Sequence, residues 1–394
     1  MDSGRMELSQ RRAGWLSPVL FLVAAAHLFN DVYMGFLTPL YPIVMQQFGL
    51  DLTRVGAVSM VAALASAFSQ PLFGMAFDRF GITPALYLAP LLTGVLISLV
   101  GVIPSYPLFL VLLFLGCLGS SAFHPKGASV APTLSERPEM GMAVFSAGGN
   151  LGFAAGPVLF ALFVSLYGFR STPVLAIPAA AVGVLLFVFL PANELRRRTL
   201  TAARVTWRAL FANRSDLAML VRLVFINFAL NVSLRGMQTF LPVYLSSLKV
   251  SSIGIGGLFT AALALGAIAS VFASSLSRWT GKRLLILSSL IAGLPLALPG
   301  FLLMPSPAGV VLIILASVIQ TFTNPLVIFM AQRHSGGSPA MASSLIMGLS
   351  WGLAGLAMVP LGWIGELVGM KVMLGVACAV PLVALVAGVR LSRD

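Results

Sequence analysis

The chain has 394 residues, of which 59% are hydrophobic and only 9% are charged, and its mean hydropathy is +1.00. A soluble protein is usually about a quarter charged, so this composition excludes that class and indicates an integral membrane protein. Apolar segments of helical length recur along the chain, which argues against a membrane β-barrel of short alternating strands. The two cysteines, Cys117 and Cys378, fall in predicted membrane segments, so we expect no disulfide framework.

Twelve hydrophobic segments are long enough to cross a bilayer as helices, which takes roughly 20 residues each. Their connections are short and rich in Pro and Gly, except for a polar linker at about 192–216 that carries six arginines. We therefore predict an all-α membrane protein with six-helix bundles at 1–191 and 217–394. The predicted spans are 16–44, 52–77, 83–103, 107–131, 139–165, 172–191, 217–246, 252–276, 283–304, 308–332, 338–363 and 369–390.

The basic residues are distributed unevenly between the two sides of the predicted membrane. If the N-terminus is cytoplasmic, that side carries 17 Lys and Arg residues and the opposite loops carry 4. An excess of Lys and Arg marks the cytoplasmic loops of membrane proteins, so we expect both termini in the cytoplasm. This excess of Lys and Arg on the cytoplasmic side accounts for the net charge of +13. We therefore expect the lipid bilayer as a partner and no nucleic acid.

The two halves of the sequence repeat. A shift of 200 residues places Gly and Pro on Gly and Pro at several positions, including Pro42 on Pro242, Gly56 on Gly256, Gly148 on Gly348 and Gly152 on Gly352. Gly and Pro mark the positions where backbone geometry is most constrained, so the coincidence predicts two similarly folded units. Two parallel six-helix repeats around a central site resemble the major facilitator transporters.

A histidine and an aspartate lie inside the first predicted span. His27 and Asp31 are four residues apart, which places both on one face of a helix. A carboxylate at membrane depth costs at least ~2.5–3.5 kcal/mol and usually faces a watery cavity or the bundle interior. We therefore predict that Asp31 is the proton-coupling residue and that His27 adjusts it. The alternative is a structural pair that is hydrogen-bonded to a neighbouring helix.

Further polar side chains in the spans are predicted to line a central cavity and bind substrate: Asn30, Asn150, Asn227, Asn231 and Arg235. The 200-residue shift pairs the polar face of the first span with the two asparagines of the seventh. The arginine is a candidate partner for the carboxylate of the first span or for an anionic substrate group. Alternatively, it lies near the outer interface and extends its charge towards water.

The end of the second span carries Gly74, Asp78 and Arg79, which resemble the loop signature between spans two and three of the major facilitator family. The resemblance implies a structural and gating role, in which the aspartate caps or pairs with a neighbouring helix. The alternative is a solvated loop aspartate.

The fifth span contains Gly152, Gly156 and Pro157, which resemble the Gly-x-x-x-Gly-Pro pattern of exporters. Small residues four apart let helices approach closely, and proline bends a helix, so we assign these residues to gating. Ordinary small-residue packing is the alternative. We also assign His124 to gating, since Pro125 can kink the fourth span beside it. An interfacial position for His124 is the alternative.

Three strings together resemble one narrower family, the bacterial fosmidomycin-resistance exporters. They are His27 to Asp31, Ser120 to Pro125, and Gly148 to Pro157. The resemblance implies proton-driven export of small drugs, including an anionic phosphonate, by alternating access in the bacterial inner membrane. The expected partners are a small-molecule substrate, protons and the lipid bilayer, with the chain acting as a monomer.

Several classes of function have no support in the sequence. It contains no Gly-x-x-x-x-Gly-Lys-[Ser/Thr] string, so we expect no ATP drive. Neither a metal-ligand cluster nor a nucleophile–base pattern stands out, so we expect no enzyme, no cofactor and no metal. Two alternatives stay open, namely an uptake symporter for a metabolite or organic anion, and a lipid-handling or receptor-like membrane protein.

Overall fold

The computed structural model describes residues 17–67, 69–80, 84–190, 213–334, 342–343 and 345–391, with backbone only at positions 78, 79, 139 and 274. Twelve helical segments within these ranges are long and apolar enough to cross a membrane, which confirms the predicted fold class. They are α1 (Pro18–Phe48), α2 (Leu52–Phe77), α3 (Ala85–Val102), α4 (Tyr106–Leu134), α5 (Met140–Tyr167), α6 (Phe169–Phe189), α7 (Arg214–Ser247), α8 (Ser252–Ala273), α9 (Lys282–Leu303), α10 (Pro307–Arg333), α11 (Leu345–Val368) and α12 (Met370–Gly388).

The predicted linker 192–216 is shorter at its C-terminal side than expected. Helix α7 already begins at Arg214, because the side chain of Asn213 accepts a hydrogen bond from the Ser215 amide, 3.0 Å away. Such a cap satisfies one of the amides that a helix start leaves unpaired. Asp216 lies in the first turn, where a negative charge also favours the helix. Positions 192–212 of the linker lie outside the described residues.

Two of the membrane-spanning helices are each broken into two pieces, and in both the break lies the same number of residues before a proline. Helix α1 consists of Pro18–Gly35 and Leu37–Phe48, and α10 consists of Pro307–Thr321 and Thr323–Arg333. Pro39 and Pro325 each lie four residues beyond the end of the first piece. A proline has no amide hydrogen, and its ring clashes with the carbonyl four residues earlier, so each break has a local cause.

The six N-terminal spans and the six C-terminal spans share a hydrophobic core at one end of the bundle. We call this the far end; α1 and α7 end there, and α2 and α8 begin there. Its buried core includes Phe36 and Leu40 of α1 together with Phe240 and Leu241 of α7. At the opposite end, called the terminal end, the described residues form two separate cores, one for each set of spans. Among the described residues, a core shared by both sets of spans therefore lies at the far end alone.

Glycines bring the two sets into backbone contact at the far end. A Cβ atom at Gly56 of α2 would overlap the carbonyl of Met358 in α11, and one at Gly362 would overlap the carbonyl of Leu52. The amide of Leu52, at the start of α2, also donates a hydrogen bond to the side chain of Glu366 in α11. Small residues at such crossings let helix backbones approach closely, so this seal is tight.

Helix α5 packs against α1 in the same way. A Cβ atom at Gly148, Gly152 or Gly156 would overlap a backbone carbonyl of α1, and these glycines recur at every fourth position. That spacing places all three on one face of α5. The contact holds the half of α1 that carries His27 and Asp31 directly against α5.

Candidate functional site

Two histidines converge on one carboxylate inside the N-terminal set of spans. His27 Nε2 lies 3.3 Å from Asp31 Oδ2, and His124 Nε2 lies 3.2 Å from Asp31 Oδ1. His27 and Asp31 are on α1 and His124 is on α4. The side chain of Asp31 is only 14% exposed, so the carboxylate is largely shielded from solvent. We call these three residues the triad.

The ring of His27 is fixed by contacts with α5. Its Nδ1 donates a hydrogen bond to the carbonyl of Phe145, 2.8 Å away, and the two rings stack with centroids 4.0 Å apart. A Cβ atom at Gly149 would overlap the imidazole, so glycine at this position makes room for the ring. Together these contacts fix the ring with its Nε2 atom 3.3 Å from Asp31 Oδ2.

The ring of His124 is fixed from its own helix. Its Nδ1 donates to the carbonyl of Ser120, one turn earlier on α4, at 2.7 Å, and the Ser120 hydroxyl lies 3.4 Å from the same nitrogen. The ring of His124 meets that of His27 edge to face, with centroids 5.0 Å apart. His124 is the more accessible of the two, since 31% of its side chain is exposed.

Asn30 positions the carboxylate. Its Nδ2 donates to Asp31 Oδ1 at 2.8 Å and to the hydroxyl of Ser120 at 2.9 Å. The side chain is fully buried, and its Oδ1 atom has no hydrogen-bond partner. The amide therefore ties α1 to α4 beside the triad, and its predicted role in substrate binding stays a prediction.

The hydrogen bonds to the two rings decide which nitrogen is free. A backbone carbonyl can only accept a hydrogen bond, so Nδ1 carries a hydrogen in both His27 and His124. In a neutral imidazole the other nitrogen is then an acceptor. With Asp31 ionised, two Nε2 atoms and two carboxylate oxygens would all present lone pairs to one another. Such an arrangement is stable only when a proton or another cation lies among them.

The same atoms are also metal-ligand types. Nε2 of His27, Nε2 of His124 and an oxygen of Asp31 all lie within 4.8 Å of one another. The sequence predicted no metal site, because His124 lies far from the other two in the chain. The structure brings together a set of two imidazoles and a carboxylate that could hold a metal ion.

Arg235 lies on α7 with no carboxylate partner among the described side chains. Its Nη1 donates to the backbone carbonyl and the hydroxyl of Ser59 in α2, both at 3.3 Å. Its guanidinium lies 4.7 Å from the ring centroid of Trp351 in α11, in a cation–π contact. The Nε atom is buried and has no hydrogen-bond partner.

Arg235 does not contact Asp31, which was one of the two partners that the sequence suggested for it. Its contacts are with Ser59 and Trp351, whereas Asp31 is surrounded by histidines and an asparagine. The positions explain the difference, because Arg235 lies on the far-end side of the two asparagines of α7. The guanidinium of Arg235 therefore has hydrogen-bond donors that no Asp or Glu side chain of the described residues accepts from.

The three other predicted substrate-binding asparagines lie apart from the triad. Asn227 is buried and donates to the carbonyl of Ile346 in α11 at 2.9 Å, so it ties two C-terminal spans together. Asn231 is partly buried on α7, and Asn150 is exposed on α5. Neither has a hydrogen bond within the described structure, so both are free to meet a ligand.

The predicted gating residues fall into two groups. Gly152 and Gly156 lie in the contact between α1 and α5, which agrees with close packing of helices. A Cβ atom at Gly256 of α8 would lie 2.7 Å from the carbonyl of Pro157, so this proline is at the seal between the two sets.

The other group lies at the terminal end of α2. Gly74 faces Pro125 of α4, 3.7 Å from where its Cβ would be. Asp78 and Arg79 follow on the helix Ser69–Phe80, and their side chains lie outside the described atoms. Gating by any of these residues stays a prediction.

The sequence profile of the Major Facilitator Superfamily matches residues 23–357, which is most of the chain. The chain belongs to the Major Facilitator Superfamily. This membership, together with the transporter relative described below, identifies the chain as a membrane transporter of small molecules. Membership of this superfamily also accounts for the twelve spans and their division into two sets of six.

Two curated relatives match nearly the whole chain. The Fosmidomycin resistance protein of Escherichia coli (strain K12) is 24% identical over 376 residues, covering 93% of this chain and 91% of the relative. The uncharacterized MFS-type transporter YfnC of Bacillus subtilis (strain 168) is 25% identical over 369 residues, covering 90% and 88%. The resemblance to this family that the sequence motifs predicted is confirmed.

Solved transporters of the superfamily share the fold. A mutant of the nucleoside transporter NupG superposes with a TM-score of 0.75 at 16% identity, covering 94% of this chain and 98% of the other. A mutant of the peptide transporter POT, in complex with sulfate, gives 0.73 at 16% identity, covering 97% and 98%. At this level of identity the comparison establishes the architecture alone.

Sequence reasoning assigned His124 to gating and did not place it beside Asp31, where the structure puts its ring. The gating role of His124 stays a prediction. The spacing of Ser120 and His124, one helical turn apart, could have indicated a shared polar face on α4. Ser59 and Trp351 were missed as contacts of Arg235, since nothing in the local sequence links them.

Proposed function

We propose that this chain is a proton-coupled exporter of small organic molecules, including anionic drugs, which works by alternating access. We place it in the bacterial inner membrane with both termini in the cytoplasm. The name of the E. coli relative supports drug export, and the distribution of Lys and Arg supports the orientation. We further propose that it works as a monomer of two six-helix bundles, at 1–191 and 217–394, joined by the polar linker.

The triad is the observation that carries the proton-coupling proposal. Its acceptor atoms need a proton or another cation among them, and His124, with 31% of its side chain exposed, is the most accessible of the three residues. A proton carrier must gain and lose charge while the protein changes conformation. Histidine is the side chain that does so near neutral pH, and two of them flank Asp31. We assign Asp31 the central role, with His27 and His124 adjusting it.

Arg235 supports an anionic substrate. It carries a buried Nε hydrogen without an acceptor, and the described part of the chain offers it no carboxylate. A guanidinium binds carboxylate and phosphonate groups through two parallel hydrogen bonds. We propose that the anionic group of the substrate lies between Arg235, the partly buried Asn231 and the exposed Asn150.

The one-sided seal supports alternating access. The two sets of spans share a core at the far end and have separate cores at the terminal end. In transporters of this architecture, rocking of the two repeats exposes a central site to one side at a time. With cytoplasmic termini, this arrangement corresponds to a site open towards the cytoplasm, where an exporter collects its substrate.

A susceptibility panel tests the export proposal directly. The chain is expressed in a bacterial host that lacks its own pumps, and growth is measured against anionic phosphonates, other anionic drugs and neutral drugs. We expect resistance to at least one anionic compound, with lower intracellular accumulation. Higher accumulation in expressing cells would contradict export and favour an uptake symporter.

A further inference from the structure

We propose that His27, Asp31 and His124 form a binding site for one divalent transition-metal ion of the zinc class. Binding to the triad requires no knowledge of the transported substrate. The consequence for transport, however, rests on the proton-coupling function proposed for the same residues. Four observations support the inference: the types of the three side chains, the distances between their ligand atoms, the hydrogen bonds made by the other ring nitrogens, and the burial of His27 Nε2.

The ligand set and its spacing fit a tetrahedral ion. Zinc binds imidazole nitrogen and carboxylate oxygen at about 2.0–2.2 Å, so neighbouring ligands of a tetrahedral ion lie about 3.3–3.5 Å apart. Nε2 of His27 lies 3.3 Å from Oδ2 of Asp31 and Nε2 of His124 lies 3.2 Å from Oδ1, and one ligand atom from each residue can be chosen so that all three lie within 4.8 Å of one another. A small movement of the accessible His124 ring brings the two nitrogens to bonding distance of one ion. A water molecule would complete the fourth position.

The outer partners of the histidines are those of a metal site. A metal-bound histidine almost always donates its other ring hydrogen to a carbonyl, a carboxylate or water, which fixes the tautomer. Both rings of the triad do so, at Phe145 and Ser120. Each Nε2 therefore presents a lone pair in the neutral ring, and each ring is held in place by backbone atoms.

Nε2 of His27 supplies an independent sign that this site binds a ligand. This atom is buried, the residue is only 7% exposed, and no hydrogen-bond partner lies in line with the nitrogen. Asp31 Oδ2 is 3.3 Å away but off the bonding direction. A buried polar atom without a partner costs about 1–3 kcal/mol, so an ion at this position would remove a penalty.

The chemistry of the ligands selects the ion. Imidazole nitrogen suits zinc, copper, nickel and iron, whereas magnesium and calcium prefer sites made of oxygen alone. A positive ion also satisfies the converging lone pairs of the triad in place of protons. We therefore expect zinc-class ions to compete with protons and to block proton-linked transport, while magnesium does not.

Cobalt absorption provides the test, because Co²⁺ takes zinc sites and absorbs strongly in the visible when it is tetrahedral. The full chain, without a histidine tag, is titrated with Co²⁺ in lipid nanodiscs. We expect one ion per chain with an intense visible band that Zn²⁺ removes and Mg²⁺ does not. A weak spectrum identical to that of cobalt in empty nanodiscs would overturn the proposal.

Three matched variants locate the ion, because the chain has only three histidines. His27→Asn and His124→Asn remove Nε2 but keep a donor near the position of Nδ1, so the contacts with the carbonyls survive. Each should weaken cobalt binding by at least about tenfold. The control is His334→Asn, whose histidine contacts Asp216 at 2.7 Å, away from the triad, and it should bind as the wild type does. Equal binding in all three variants would overturn the assignment.

The spectrum separates this proposal from the transport function. If the cobalt band appears but proton flux is absent, the metal site stands and the proton-coupling proposal fails. If proton-linked transport is present and the cobalt band is absent, the proton-coupling proposal stands and the metal site fails. The unfolding temperature of each variant, measured without metal, shows whether a lost band reflects a lost ligand or a lost fold.

Discussion

At the scale of single residues, the orientation of the triad depends on groups that carry no charge. The carbonyls of Phe145 and Ser120 hold the two rings, and the amide of Asn30 holds the carboxylate. Each of these hydrogen bonds is buried or partly buried, so breaking one leaves an unsatisfied donor that costs about 1–3 kcal/mol. The position of the charge on Asp31 is thus set by uncharged neighbours on α1, α4 and α5.

Gly149→Ala should damage the site without touching a charged residue. Its Cβ would overlap the ring of His27, which must then leave the Phe145 carbonyl. Loss of a buried hydrogen bond is worth about 1–3 kcal/mol, and 1.4 kcal/mol is about tenfold. We expect proton-linked transport in proteoliposomes to fall about tenfold or more. In the control variant, Gly257→Ala, no atom lies within 4 Å of the added carbon, so transport should be unchanged. Equal transport by the two variants would show that Gly149 does not position His27.

Arg235 should matter more for anionic than for neutral substrates. Arg235→Lys keeps the charge but loses the planar fork, so it should restore transport of an anion only in part. Arg235→Ala should abolish transport of the anion and leave that of a neutral compound in place. Uptake into inverted vesicles measures both. If Arg235→Ala carries the anion as well as the wild type does, Arg235 has no role in binding it.

The residues that could be predicted are those that local spacing connects. His27 and Asp31 are four apart on one helix, so their pairing follows from helix geometry. The approach of His124 depends on how α4 packs against α1, which no spacing in the sequence encodes. The contacts of Arg235 were missed for the same reason. Its depth on α7 follows from the sequence, but its contacts with α2 and α11 depend on how the helices pack.

At the scale of elements, the contact between α1 and α5 determines where the triad lies. Glycines at every fourth position of α5 meet backbone carbonyls of α1. In a membrane, lipid tails are as apolar as the helices, so close packing and hydrogen bonds replace the hydrophobic effect in holding helices together. Any added side-chain atom on this face of α5 must therefore push α1 away.

Gly152→Ala should destabilise the protein through this contact. The added carbon would overlap the carbonyl of Leu28, which is backbone and cannot turn aside. Overpacking of this kind costs about 1–3 kcal/mol, so the unfolding temperature in detergent should fall. At Gly375 of α12 the nearest atom to an added carbon is 3.6 Å away, and Gly375→Ala should leave the temperature unchanged or higher. An unchanged temperature for Gly152→Ala would show that the contact is looser than described.

The helices themselves were predictable because hydropathy and length decide them. All twelve predicted spans overlap observed ones, and the repeat of Gly and Pro marked many of the close contacts. Helix ends were less predictable, because they depend on single caps. Asn213 starts α7 inside the predicted linker, at a position that hydropathy does not mark.

At the scale of the whole molecule, the far-end seal must open for transport to occur. The two sets meet there through α2 and α11, where Glu366 accepts a hydrogen bond from the amide of Leu52. That amide belongs to the first turn of α2, which lacks partners within its own helix. A side chain from one set thus completes a helix of the other only while the far end is closed.

Glu366→Ala should shift the molecule towards a far end that is open. Loss of one hydrogen bond between the two sets favours separation, and the closed state gains nothing in return. A cysteine at the buried Thr239, in a background where Cys117 and Cys378 are serine, reports the change. Its labelling by a membrane-impermeant thiol reagent from the far-end side should become severalfold faster. An unchanged rate would show that Glu366 is not part of the closure.

Proton flux measured together with substrate flux tests the central claim most directly, namely that Asp31 couples proton movement to export. Proteoliposomes carry either the wild type or Asp31→Asn, which keeps the shape of the side chain and removes its charge. We predict that the wild type moves protons in proportion to substrate. The variant should show no substrate-linked proton movement, yet still exchange substrate for substrate. Full coupling of protons to substrate in Asp31→Asn would contradict the account, whatever the substrate is.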